Sequence, residues 1–165
     1  MRRLTLLRHA KSSWEDPELD DFDRPLNPRG LRALPDMGRR LARRGDRPDL
    51  IVSSPALRAI STARGIAREI GYRDDRILQT QDLYLASAAG ILTVLKGVDD
   101  RHGHAMIVGH NPGFTDLANR LGEIRIDNMP TASMLCVDFP QDHWSDIEPG
   151  DAKFVYFDYP KKRPA

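Results

Sequence analysis

Three polar islands break the apolar runs of this chain at places where chemistry is possible. Arg8 and His9 follow LTLL, Ser53-Ser54-Pro55 and then Arg58 follow DLIV, and His110 follows AMIV inside the run Gly109-His110-Asn111-Pro112-Gly113. If each apolar run is a strand of an open α/β sheet, the islands share the carboxyl edge, where ligands bind in such sheets. Two arginines and two histidines then meet with no carboxylate in the motifs themselves. Unpaired cations in a cleft repel one another unless the ligand is the counterion, and a tetrahedral dianion such as phosphate fits that role. A neutral imidazole is a competent nucleophile toward phosphorus, because its unperturbed pKa of about 6.5 leaves a lone pair free near neutrality. Guanidinium groups stay charged and clamp phosphoryl oxygens in a fork.

The elements that must position these residues are legible as an alternation of apolar runs and helical periods. Leu4–Leu7 reads as a buried strand, and Ala10–Leu26 as a polar loop rich in Asp. Asn27 followed by Pro28 is a helix start, and leucines 31, 34 and 41 keep helical spacing until Gly45 ends the helix, with Pro35 a candidate kink inside it. Asp49–Ser53 is a second strand, and Ala56–Ile70 a helix closed by Gly71. A brief strand at Ile77 and Leu78 comes next, then a helix capped by Ser87 through Leu95, a strand over Ala105–Val108 and a helix over Phe114–Leu121. Ser133–Phe139 and Lys153–Phe157 complete the pattern as strands. The expected fold is a three-layer α/β/α sandwich, a mostly parallel central sheet with helices on both faces, formed by residues 1–165 as one domain.

Composition narrows the function classes. The chain has 165 residues, 40% hydrophobic, with 25 Lys and Arg against 24 Asp and Glu, so its net charge of +1 gives no broad attraction to nucleic acid. The dense run Arg39, Arg40, Arg43, Arg44 and Arg47 reads as a solvated helix end. One cysteine, Cys136, excludes an intramolecular disulfide and reads as core. No apolar run approaches membrane-spanning length and no signal-peptide pattern opens the chain, so a cytoplasmic protein without membrane contact is the expectation.

Arg8-His9-Ala10, SSPALRAISTA over Ser53–Ala63 and VGHNPG over Val108–Gly113 together resemble the histidine phosphatase (phosphoglycerate mutase-like) superfamily. DRPLNPRG over Asp23–Gly30 and LYLAS over Leu83–Ser87 resemble its SixA-type phosphohistidine phosphatases. The resemblance implies that His9 is a nucleophile forming a phosphohistidine intermediate, and that Arg8, Arg58 and His110 hold the phosphoryl group. It further implies that Arg24 is a basic neighbour of the phosphate pocket and that Asp82 stands where a proton-donating glutamate often lies. Where the family usually has Gly, this chain has Ala10, which a turn of negative φ tolerates. The shorter Asp82 should reach less far as an acid, weakening activity on esters with poor leaving groups.

The activity so implied is a metal-independent, cofactor-free hydrolysis of phosphohistidine on a protein substrate, such as a phosphorelay or phosphotransfer protein, by a monomer. A small-molecule phosphomonoesterase or mutase, and a non-catalytic phosphate-binding module, are the alternatives. Three other features read as structural. His102 and His104 are loop histidines rather than metal ligands, the carboxylates Asp20, Asp21 and Asp23 are a solvated loop, and Trp14 either lines the site mouth or packs on its own loop.

Overall fold

Cap residues set the helix boundaries. In the computed structural model, which describes residues 1–162, Asn27 accepts a hydrogen bond from the Gly30 amide at 2.8 Å and opens α1 (Pro28–Arg44). Gly45 closes it at a left-handed φ of 66°, and the helix runs continuously through Pro35. Helix α2 (Leu57–Ile70) ends on Gly71, and α3 (Ala88–Lys96) starts where Ser87 accepts from the Gly90 amide. Helix α4 (Gly113–Ala118) stops three residues earlier than its pattern suggests, where Asn119 leaves the helix and its side chain binds both the Ile126 amide and the Ile126 carbonyl.

Six strands form one sheet: β1 (Arg2–Arg8), β2 (Leu50–Ser53), β3 (Leu78–Gln79), β4 (His104–Gly109), β5 (Met134–Phe139) and β6 (Lys153–Asp158). Their spatial order is β3-β2-β4-β1-β5-β6, parallel from β3 through β1, with β5 antiparallel to both of its neighbours. The central strands are buried on both faces, as parallel strands covered by helices must be. Leu4, Leu6, Val52 and Ile107 face α3 and α4, whereas Leu7, Ile51, Met106 and Val108 face α1 and α2. The chain is therefore the expected three-layer α/β/α sandwich, and the carboxyl ends of β1, β2 and β4 lie side by side. Register fixes their relative height, since Arg8 pairs with Gly109 and Ser53 with Val108.

Two expectations about surface residues change. Arg40 is not a solvated cation: its guanidinium pairs with Asp158 at 2.9 Å and Asp36 at 2.8 Å and donates to the carbonyls of Tyr159 and Pro160, fastening α1 to the end of β6. His104 is not a loop residue but the first of β4, buried, with Nε2 2.8 Å from the Thr5 hydroxyl and Nδ1 3.4 Å from Asp46. Arg3 lies between Asp46 (2.9 Å) and Asp138 (2.7 Å), so this network at the amino edge of the sheet already contains its cation. Cys136 is core as expected, its thiol pushed up to about 12 by burial.

Candidate active site

The nucleophile candidate sits in a turn fixed on every side. The His9 amide donates to the Gly109 carbonyl at 3.0 Å, continuing the β1–β4 ladder past the end of β1. The Ala10 amide donates to the Thr62 hydroxyl on α2 at 2.9 Å, and the Ala132 amide meets the carbonyls of Arg8 and His9 from the loop before β5. Gly30 on α1 packs so closely on the Lys11 backbone that a side chain there would collide with the Lys11 carbonyl. Ala10 is fully buried and keeps a negative φ, so its methyl group is accommodated.

The same turn selects the tautomer of His9. Nδ1 lies 2.7 Å from the Ala10 carbonyl, which can only accept, so Nδ1 carries the proton and Nε2 keeps its lone pair. Burial, together with the cationic Arg58, Arg8 and Arg24, pushes His9 down to about 4, so the ring is neutral at neutral pH.

Around His9 lie His110, Arg8 and Arg58. The ring of His110 lies with its centroid 5.3 Å from that of His9, and its Nε2 is 2.7 Å from the Ser54 hydroxyl. Burial and the neighbouring His9 and Arg58 push His110 down to about 3. Arg8 reaches the Met129 carbonyl through Nη1 at 2.7 Å, and burial beside Arg58 lowers its affinity for the proton. Arg58, on the first turn of α2, is 2% exposed. Two guanidinium N–H groups of this cluster, Arg8 Nε and Arg58 Nε, and the ring nitrogen His110 Nδ1 are buried without a hydrogen-bond partner. Buried unsatisfied donors are costly, and two guanidinium N–H groups beside the His9 ring suit an anion rich in acceptor oxygens.

Arg24 also joins the cluster. Its Nη1 donates to the Ser12 hydroxyl at 2.7 Å, and its guanidinium stacks 3.5 Å from the ring centroid of Trp14, which is itself 76% exposed. Trp14 thus packs on Arg24 within its own loop and leaves most of its ring exposed.

Two side chains were not anticipated from the sequence. Asp21, expected in a solvated loop, accepts from Arg58 through both its main-chain oxygen (2.6 Å) and Oδ2 (2.9 Å), and from Arg24 Nε through Oδ1 at 3.2 Å. The arginines thus do have a carboxylate partner. Tyr84 donates its hydroxyl to Asp21 Oδ2 at 2.6 Å and packs edge-on against His110. Burial works against the Asp21 charge, yet the hydrogen bonds from Tyr84 and Arg58 hold it at about 2. The sequence signal for Asp21 was its place three residues before Arg24 in the same loop, a spacing that suits a single helical turn.

Among the described residues, the Asp82 side chain makes no hydrogen bond or ion pair with this cluster. Asp82 is exposed, its amide donates to the Thr80 hydroxyl, and it lines a groove between α3 and the β2–β3 edge with Leu50, Leu78, Thr80 and Val94. The same helical turn, Gln81–Leu83, buries Leu83, and Tyr84 directly after it meets His110.

The comparisons with known proteins agree with this geometry. A family model described as Histidine phosphatase superfamily (branch 1) matches residues 4–83. An uncharacterised protein of Mycobacterium tuberculosis is 31% identical over 94% of this chain and all of its own length. Among solved structures, one assigned as phosphohistidine phosphatase SixA of Agrobacterium tumefaciens superposes with a TM-score of 0.81 at 27% identity, over 96% of this chain and 97% of that one. A mycobacterial glucosyl-3-phosphoglycerate phosphatase shares the fold with a TM-score of 0.67 at 18% identity, over 94% of this chain and 97% of that one.

Proposed function

The chain belongs to the histidine phosphatase superfamily in its SixA-type form and is a phosphatase; on that premise we propose that it hydrolyses phosphohistidine on a protein substrate, with His9 as the nucleophile. His9 Nε2 attacks phosphorus as Arg8, Arg58, His110 and Arg24 hold the phosphoryl oxygens. The bond from His9 to phosphorus forms while the substrate P–N bond breaks, and the leaving imidazole departs with that electron pair, neutral because its ring is already protonated. Water then attacks the phosphorylated His9, releasing phosphate and restoring the lone pair.

The observation that carries the choice of a P–N bond is the proton inventory of the cluster. Asp21 is held at about 2, His110 at about 3, and burial and the bond to Asp21 raise Tyr84 above its ordinary value. Among the described residues that line the cluster, none is poised near neutrality to protonate an alkoxide, and Asp82 stands apart. An alkyl phosphate needs such an acid, whereas phosphohistidine and activated aryl phosphates do not. The exposed Trp14 ring suits a phosphoryl group presented by a folded protein surface. Guanidinium groups supply the charge neutralisation that a divalent cation provides elsewhere, so activity is expected to survive chelation.

The test is kcat/KM on a phosphohistidine-bearing protein, an aryl phosphate and a panel of alkyl phosphates, for wild type and His9→Ala. The proposal expects phosphohistidine to lead, alkyl phosphates to trail, His9→Ala to be inactive, and an acid-labile phosphoenzyme to be trapped on wild type alone. A preference for an alkyl phosphate would replace it with a metabolite phosphatase. Retained activity in His9→Ala would remove His9 as the nucleophile.

A further inference from the structure

We propose that Asp21 is a resident counter-anion of the phosphoryl pocket: it orients Arg58 and sets the affinity of the site for phosphate low enough for product to leave. The proposal rests on the phosphatase reading above but concerns a residue to which that reading gives no part.

Asp21 is the one side chain that touches Arg58, Arg24 and Tyr84 together. It takes both Nη atoms of Arg58, one on its main-chain oxygen and one on its carboxylate, while Arg58 Nε stays without a partner. The guanidinium is thereby locked through one edge and leaves the Nε–H for a ligand. Solvent exposure supports this division. The Asp21 side chain is 42% exposed, against 3% for Arg58 and 8% for Arg24, so the carboxylate caps the arginines from the solvent side.

Charge gives the functional consequence. Arg8, Arg24 and Arg58 face one carboxylate, leaving two positive charges, which a phosphoryl dianion neutralises. Released phosphate carries the same charge as the bound group of the substrate, so each added cation strengthens product retention along with substrate binding. Binding that is equal in ground and product states contributes nothing to turnover. A carboxylate fixed within contact of Arg58 offsets one guanidinium and keeps the pocket from becoming a phosphate trap.

Asp21→Asn tests this, because the amide keeps the shape, the main-chain contact to Arg58 and a carbonyl acceptor while dropping the charge. Calorimetric titration with inorganic phosphate should show tighter binding by about tenfold, the size expected for one partly screened unit charge beside the anion. KM for an aryl phosphate should fall in parallel, and the gain should shrink as ionic strength rises. Asp21→Ser, which drops the charge and also the carboxylate contacts that orient Arg58, should tighten phosphate binding less than Asp21→Asn. A merely structural role predicts the opposite, with phosphate binding and kcat/KM both weakened as Arg58 loses its place. Unchanged or weaker phosphate binding in the folded variants overturns the proposal. Because the calorimetry needs no turnover, this outcome is separate from failure of the phosphohistidine reading, which would appear as wild-type inactivity on phosphohistidine.

Discussion

At the scale of single residues, the site depends on protonation states and on the shape of guanidinium. His9 is held at about 4 by burial and by three arginines, and its neutral form is the reactive one. The kcat/KM for an aryl phosphate should therefore show no acid limb near pH 6.5, where an ordinary histidine would titrate, and should fall only as pH drops toward 4. An acid limb centred near 6.5 would mean that the ring is not desolvated as the structure has it. Arg58→Ala should cost on the order of a hundredfold or more in kcat, as loss of a transition-state donor does. Arg58→Lys should recover little of this, since an ammonium has no second edge with which to hold Asp21 and present a donor at once. Asp82→Asn, by contrast, should change kcat/KM on aryl phosphates by no more than about twofold, the scale of an exposed substitution outside the cluster. These three variants, assayed side by side, separate what the motifs share from what the fold brings together.

At the scale of elements, the site is as good as the contacts that fix the turn after β1. Gly30 on α1 meets the Lys11 carbonyl where a Cβ would collide with it, so Gly30→Ala must push α1 and the nucleophile turn apart. Overpacking of this kind costs about 1–3 kcal/mol, and the displaced turn should lower kcat as well as the melting temperature. Asn27→Ala, three residues earlier, removes the cap of the same helix and should cost about 1 kcal/mol with kcat nearly intact. Thermal melts and kcat on the two variants check whether position rather than helix stability is what catalysis needs. The elements themselves were largely legible in the sequence. Buried parallel strands appear as unbroken apolar runs, and Asn27-Pro28, Gly45, Gly71 and Ser87 are local signals whose caps need no tertiary context. The Asp21–Arg24 spacing was local, but the meetings of Asp21 with Arg58 across 37 residues and of Tyr84 with Asp21 across 63 were not legible, because no local pattern records them. For Asp82, a matching position along the chain does not by itself fix which side of a single helical turn the side chain leaves from.

At the scale of the whole molecule, buried neutral histidines tie stability to pH. The folded protein keeps His9 and His110 unprotonated down to about 4 and about 3, whereas in the unfolded chain each takes a proton near 6.5. Below about pH 6.5 the unfolded state binds more protons, so stability falls as pH falls, with a slope on the order of 1–3 kcal/mol per pH unit. His104, also pushed down by burial, adds in the same direction. Urea melts between pH 4.5 and 7 should show this slope, and His9→Ala should flatten it. A phosphate-dependent rise in melting temperature should accompany it, since a ligand of the folded state alone stabilises by mass action.

The pairing of Arg8 with Gly109, and the bond from the His9 amide to the Gly109 carbonyl, also bear on how the nucleophile moves. Catalytic groups commonly ride on loops that open by themselves, but this one hangs from the two central strands of the sheet. Its amide proton should exchange with deuterium only when those strands separate, at the rate of global unfolding. Amides of residues 14–23, bonded only to residues 13–20 of the same loop, should exchange orders of magnitude sooner. Adaptation to different protein partners would then reside in that outer segment, with Trp14 upon it, while the reacting nitrogen stays as still as the core.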